Sequence, residues 1–241
     1  MALKFYTYLE TDKYNIGLTS RTVYIYDKQG NEIIRFKDLI YAYMGCVSNN
    51  QDLLVVKSSG GRIAIYSLEE LKLIKKFRFS EVDGAQGDNF IFTKDDKYFL
   101  NIERHNSSNE TRLSIYDTSD FSLKKQLFGE NDNLVLTTIE YDKESDDYFI
   151  MGFLRDLQTR VAKRFFIAKL IDDELKDMKF IESTEYHFLC LAKMVEFAGF
   201  TEESYYWLFV FKSVSLSDLK SMNLSLSSLW KEKYLNPQFI E

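Results

Sequence analysis

Three short segments of this chain share one motif: Val23-Tyr24-Ile25-Tyr26-Asp27, Ile63-Ala64-Ile65-Tyr66-Ser67 and Leu113-Ser114-Ile115-Tyr116-Asp117. Each is followed by a turn and then a second strand-like stretch that mixes basic and apolar residues, at 32–36, 72–77 and 123–128. Tyr26 and Tyr66 are 40 residues apart, and Tyr66 and Tyr116 are 50 apart. A weaker fourth copy, Phe165-Phe166-Ile167-Ala168-Lys169, puts Ala168 in register after 52 more. Alternation at period two gives each strand two faces, and here both faces carry apolar residues. Units of this length, made of short strands, bury those faces by stacking on copies of themselves.

The remaining segments complete each unit. Apolar runs bounded by turn residues predict strands at 3–8, 15–18, 22–26 and 32–36 in the first unit. The same reading gives 41–47, 53–56, 62–66 and 72–79 in the second, and 89–93, 98–103, 112–116 and 123–128 in the third. It gives 136–141, 148–153, 164–170 and 176–181 in the fourth. Each unit is then a four-stranded antiparallel meander. The extra length of the later units falls in polar segments, 84–88, 106–110 and 156–159, where insertions map to loops. Beyond 187 the pattern weakens. Segments 187–197 and 205–211 read as two strands of a fifth unit, and Leu216, Leu219 and Met222 suggest a helix over 215–222. The Leu-Ser alternation of 224–229 also fits a returning strand. The tail is expected to dock through Trp230, Tyr234 and Phe239.

Residues 48–128 resemble the WD-repeat and related β-propeller families most closely. Asp95-Asp96-Lys97-Tyr98-Phe99-Leu100 is similar to the polar turn that opens the second strand of such repeats. The Ile-Tyr-Asp/Ser step is similar to the family's Ile-Trp-Asp. Residues 1–47 and 134–182 match more loosely. This chain departs from the family pattern in having Tyr for Trp and in lacking the Gly-His pair between units. Neither His105 nor His187 stands where the family's side-chain network places its histidine. The resemblance implies an all-β fold: a small β-propeller of four-stranded antiparallel blades, five by the count of units. The whole of 1–241 then forms one domain, with 213–241 as an irregular or helical segment packed on it.

Composition narrows the function classes. Aromatics make up 16% of the chain, with 20 Phe, 16 Tyr and a single Pro, a mixture that favours sheet. Net charge is −6 and the Lys and Arg are scattered along strands, which argues against nucleic acid as the main partner. The amino-terminal ten residues lack the apolar core of a signal peptide, and no run approaches the length of a membrane span. Two cysteines, Cys46 and Cys190, do not suggest a disulfide framework. The expectation is a cytoplasmic protein without membrane or nucleic-acid partners. The wealth of Lys, Asn, Phe and Tyr suggests a bacterial source of low G+C content.

Signatures of chemistry are sparse. The two histidines and two cysteines have no metal-ligand spacing. No nucleophile elbow, phosphate loop or dinucleotide fingerprint is present, and Gly60-Gly61 reads as a hairpin turn. The acid pairs Asp95-Asp96, Asp146-Asp147 and Asp172-Asp173 sit between strands, where Asp satisfies local backbone donors. No catalytic residue, metal or cofactor is assigned.

One recurrence points elsewhere. An arginine stands at the opening of each third strand: Arg21, Arg62, Arg112 and Arg164. In a meander, the loop before that strand shares an end with the connections between units. Those connections carry Tyr41 and Phe90. Arginine with aromatics is the composition of protein-binding anchors. The expectation is a non-catalytic module that binds a protein or peptide on one face, with Arg62, Arg112, Tyr41 and Phe90 partly exposed on one side of the disc. The alternative is a propeller enzyme, a hydrolase or lyase, with carboxylates and arginines in its central channel.

Overall fold

A computed structural model describes residues 5–58, 61–78, 90–104, 110–183, 186 and 225–231. Among the described residues, sixteen strands form four separate four-stranded antiparallel sheets, each pairing its strands in sequence order. Blade 1 is β1 (Thr7–Glu10), β2 (Asn15–Leu18), β3 (Val23–Tyr26) and β4 (Glu32–Phe36). Blade 2 is β5 (Met44–Val47), β6 (Leu53–Ser58), β7 (Arg62–Ser67) and β8 (Lys72–Arg78). Blade 3 is β9 (Phe90–Phe92), β10 (Tyr98–Arg104), β11 (Thr111–Asp117) and β12 (Leu123–Leu127). Blade 4 is β13 (Leu134–Asp142), β14 (Asp147–Arg155), β15 (Ala162–Ile171) and β16 (Glu174–Ile181).

The repeat motif sits where the spacing places it. Tyr26, Tyr66 and Tyr116 each lie on the third strand of their blade, opposite the first residues of the fourth. The pairing of third and fourth strands slips at this same position in every blade: after Ile25, Ile65, Ile115 and Ile167. A bulge there twists the outer strand and spoils it as a template for edge-to-edge pairing. The outer strands are also rich in charge, as in Lys72, Lys75 and Lys76 of β8, which works to the same end.

Each sheet covers the next. One apolar cluster joins Ile16, Leu18, Val23 and Ile25 of blade 1 to Leu54, Val56, Ala64 and Tyr66 of blade 2. A second joins Val55, Ile63 and Ile65 to Phe90, Phe92, Phe99 and Tyr116 of blade 3. A third joins Leu100, Ile102 and Leu113 to Leu136, Ile139, Ile150 and Phe166 of blade 4. Within blade 2, Val55 and Ile65 therefore face forward while Val56, Ala64 and Tyr66 face back, as period two requires. Ile25 and Ile65 are fully buried, but Ile115 is only half-buried, which corrects the expectation for that position. Gly152 is needed at the centre of β14, because a Cβ there would lie 2.2 Å from the Val135 carbonyl oxygen.

Several boundaries moved. β1 spans Thr7–Glu10, its expected start at residue 3 lying outside the described residues; β5 starts at Met44, later than expected, because Tyr41 takes a left-handed backbone (φ 58°) that interrupts the strand. The expected strands at 187–197 and 205–211 and the helix over 215–222 lie outside the described residues, and so do Tyr234 and Phe239. The Leu-Ser segment is no returning strand: α1 spans Leu226–Lys231. Its Leu226 and Trp230, four apart and so on one helical face, pack on Phe149, Met151 and Ile167 of blade 4 together with Tyr186. Alternating Leu and Ser offers apolar residues at both periods, so the pattern alone did not decide. Glu140 accepts the Leu226 backbone N–H at 2.6 Å, and the Trp230 ring lies 3.7 Å from Lys179 Nζ.

Candidate functional site: the connector end of the blades

The meander gives the stack two ends. Turns within the first and last strand pairs of each blade share one, the turn end. The connections between blades and the loops between second and third strands share the other, the connector end.

The turn end is saturated with its own bonds. Asp96, itself at φ 55°, accepts the backbone N–H groups of Asn49 and Asn50 at 2.8 and 2.7 Å and so ties blade 3 to blade 2. Gln51 accepts the Asp12 N–H at 2.6 Å, tying blade 2 to blade 1. Lys94 donates its backbone N–H to the Tyr148 hydroxyl and its ammonium to Asp146, both at 2.8 Å, tying blade 3 to blade 4. Asp146 also accepts from Tyr141, and these donors hold its carboxyl below the usual range. The acid pairs of the sequence are therefore turn and staple residues.

The connector end is different. Ile40 and Tyr41 between blades 1 and 2, and Leu157 and Val161 between β14 and β15, are each at least half exposed. No large apolar side chain is exposed in the described turns of the opposite end. Beside the last blades, a cleft of about 1030 Å³ is lined by Glu110, Arg112, Phe128, Glu130, Asp132 and Leu157, among others. Its walls approach closely: Arg155 donates to the Asp132 carbonyl at 2.6 Å, and the Leu136 N–H donates to the Thr111 hydroxyl at 2.6 Å.

Beneath this end, the contact between blades 2 and 3 holds a polar cluster where the neighbouring contacts are apolar. Lys57 is 1% exposed. Its ammonium donates to Asn101 Oδ1 at 2.8 Å and to the Ile102 carbonyl at 3.0 Å, and lies 5.4 Å from the centre of the Phe90 ring. Asn101 donates to Glu103, which also accepts from Tyr116 at 2.6 Å and from Arg112 Nε at 3.0 Å. Burial pulls the Lys57 amine down to about 7, with Glu103 opposing part of that shift. Burial, and then Glu103, pushes the Tyr116 phenol up; Tyr66, which donates to Asp38, is raised in the same way. Two of the repeat tyrosines thus find carboxylates for their hydroxyls, as buried phenols require.

The expected site residues separate on inspection. Arg62, Arg112, Tyr41 and Phe90 all lie at the connector end of their blades, and Arg62 and Tyr41 are exposed. Phe90 is 4% exposed, a correction: its ring fills the space over Lys57. Arg112 is part-buried, bound to Glu103. The arginine recurrence is also looser than expected. Arg62 opens β7, but Arg112 and Arg164 are the second and third residues of their strands, and Arg21 lies in the turn before β3. Sequence reasoning missed Lys57, Asn101 and Glu103. The signal was there: Asn101 and Glu103 share a face with Phe99, one that a neighbouring blade must cover. His105, His187 and Cys190 lie outside the described residues. Among the described residues no cluster of three or more His, Cys, Asp or Glu is placed to hold a metal ion, and no helix is long and apolar enough to cross a membrane.

No protein-family model and no curated protein matches the sequence. Solved structures do. The β-propeller domain of Myceliophteria thermophila Cps50 (Swd1) aligns with a TM-score of 0.53 at 14% identity, over 71% of this chain and 53% of that one. U3-55K aligns at 0.51 and 11% identity over 75% and 52% of the two chains. Kuenenia stuttgartiensis hydrazine synthase aligns at 0.51 and 14% over 68% and 52%. The chain thus spans about half the length of each, and at such identities the likeness bears on the fold alone. With four stacked meanders and a repeat tyrosine at one position in three of them, the fold is that of a β-propeller.

Proposed function

We propose that this chain is a non-catalytic interaction module that binds a protein or peptide at the connector end. The observation that carries this reading is the asymmetry of the two ends. Turn-end side chains are spent on joining blades, whereas exposed Ile40, Tyr41, Leu157 and Val161 gather at the other end with arginine nearby. Exposed apolar side chains rimmed by polar ones mark interaction sites. The perturbed groups Lys57, Tyr66 and Tyr116 bond to internal partners and are almost wholly buried, which suits a structural joint better than a reacting centre. The test is capture of native partners, followed by affinity measurements on Leu157→Asp and Tyr41→Ala. Loss of about 2 kcal/mol of binding with an unchanged melt supports the reading. Turnover of ester, phosphate or glycoside substrates by a clean preparation overturns it.

A further inference from the structure

Blade 2 presents a like-charged pair that no other described residue neutralises. Arg62 and Arg78 are directly opposed in the β7–β8 pairing, and both are exposed. Like charges so placed repel. Neither guanidinium makes an ion pair among the described residues. By period two, Arg62 shares the face of Ala64 and Tyr66, the one turned towards blade 1, and Arg78 and Lys76 stand opposite Arg62 and Ala64. The connection from blade 1 runs along this face: Ser58 donates to the Ile40 carbonyl at 2.6 Å, and Lys76 reaches the Asp38 carbonyl at 3.5 Å. That connection adds exposed Lys37, and its Ala42 N–H bonds to Ser20, next to exposed Arg21. The nearby acid Asp38 already accepts from Tyr66. Ile40 and Tyr41, each 51% exposed, lie amid these cations, and Tyr41 is held at φ 58°, an uncommon backbone for an aromatic residue. A basic and apolar patch has thus been concentrated on a chain whose net charge is −6.

We infer that this patch on the blade 1–blade 2 side of the connector end docks an acidic peptide segment bearing an aromatic or large apolar residue, with Arg62 and Arg78 facing its carboxylates and Ile40 and Tyr41 its apolar side chain. The inference rests on the interaction-module reading and names the partner's chemistry. Charge complementarity carries it: carboxylates would relieve the Arg62–Arg78 repulsion and add charge-assisted hydrogen bonds.

The test uses the full chain and a fluorescently labelled peptide of alternating Glu and Gly with one central Phe. The expected result is saturable binding that weakens with added salt. Affinity falls about tenfold or more in Arg62→Glu and in Arg78→Glu, and falls in Tyr41→Ala. Arg78→Glu is also expected to raise the melting temperature, because it replaces a repulsive cross-strand pair by an attractive one; this separates lost binding from lost folding. Lys28→Glu, in a turn of the opposite end, leaves the affinity unchanged. Binding of the Glu-Phe peptide that ignores both arginine reversals overturns the inference, as does no binding. Tighter capture of oligodeoxythymidine than of the peptide overturns it in favour of a nucleic-acid surface. A native partner whose affinity depends on Leu157 but not on Arg62 or Arg78 overturns this inference and leaves the interaction-module reading standing.

Discussion

At the turn end, Asn49 and Asn50 donate to Asp96, and Lys94 donates to Tyr148 and Asp146, so the turns between first and second strands of blades 2, 3 and 4 are bonded to one another. At the connector end, Ile40, Tyr41, Leu157 and Val161 stand in solvent, and Arg62 faces Arg78. The same meanders supply both ends, so strand geometry does not explain the difference. Side-chain choice does. Short Asp, Asn and Ser side chains at the turns bond to nearby backbone, and the exposed apolar side chains closest to them, Ile33 and Leu123, stand on the outer strands instead. Longer apolar and cationic side chains at the connections leave contact surface uncovered. Substitutions at the two ends should therefore fail differently: the turn end loses stability, the connector end loses binding.

The largest effect is expected in the blade contacts on which both ends depend. Ile65→Ala empties a fully buried position between blades 2 and 3 and should cost about 2–5 kcal/mol in denaturant unfolding. Exposed Glu69→Ala should cost less than about 0.5 kcal/mol. Equal losses would refute the assignment of Ile65 to the blade contact.

Next comes the buried joint under the connector end. The Lys57 amine titrates near 7 in the folded chain and near its ordinary value, about 10.5, when unfolded. Between those values the unfolded chain holds the extra proton, so stability from this group rises with pH, by about 1.4 kcal/mol per pH unit at most. Below 7 both states are protonated and the contribution is flat. Lys57→Met keeps an unbranched apolar stem, and its stability measured against pH should lack this rise. If the wild type and Lys57→Met run parallel from pH 7 to about 10, the joint does not titrate as described.

Smaller effects sharpen the contrast directly. Asp96→Ala removes the acceptor for two backbone N–H groups of blade 2 and places a β-carbon residue less tolerant of φ 55° there, for a cost of about 1–2 kcal/mol. Asp96→Asn should recover part of it. Leu157→Asp and Tyr41→Ala should change stability by no more than about 0.5 kcal/mol. A turn-end change that leaves the melt untouched, or a connector-end change that lowers it by several degrees, would break the comparison.

Much of this architecture was legible in the chain. The motif around Tyr26, Tyr66 and Tyr116 is written at one position in three of the four units, and two-residue alternation sorted Ile65 from Tyr66 onto opposite faces. Other features depend on register that local pattern does not specify. The bulge after Ile65 shifts β8 by one residue, so that the opposition of Arg62 and Arg78 emerges only from the pairing. Lys57 reads in Leu-Leu-Val-Val-Lys-Ser as a strand end reaching solvent, yet it is buried because Asn101 and Glu103, 44 and 46 residues on, provide its polar surroundings. Phe90 read as an exposed anchor because it follows a polar loop, but the cation of Lys57 lies against its ring. At the candidate site, Arg62 was visible as a recurrence and Tyr41 as an aromatic on a connection between units, while their cationic neighbours Lys76 and Arg78 belong to a different strand and needed the fold to bring them near.

The most direct test of the account is hydrogen exchange of the chain alone and bound to a partner recovered by capture from its native source. Protection on binding is expected in the connector-end segments, 37–43 first and 128–134 and 155–161 with it where the partner extends that far. The turns at 48–52, 94–97 and 117–122 should exchange alike in both states. Protection concentrated in those turns, with 37–43 unchanged, would contradict the assignment of the connector end as the binding face.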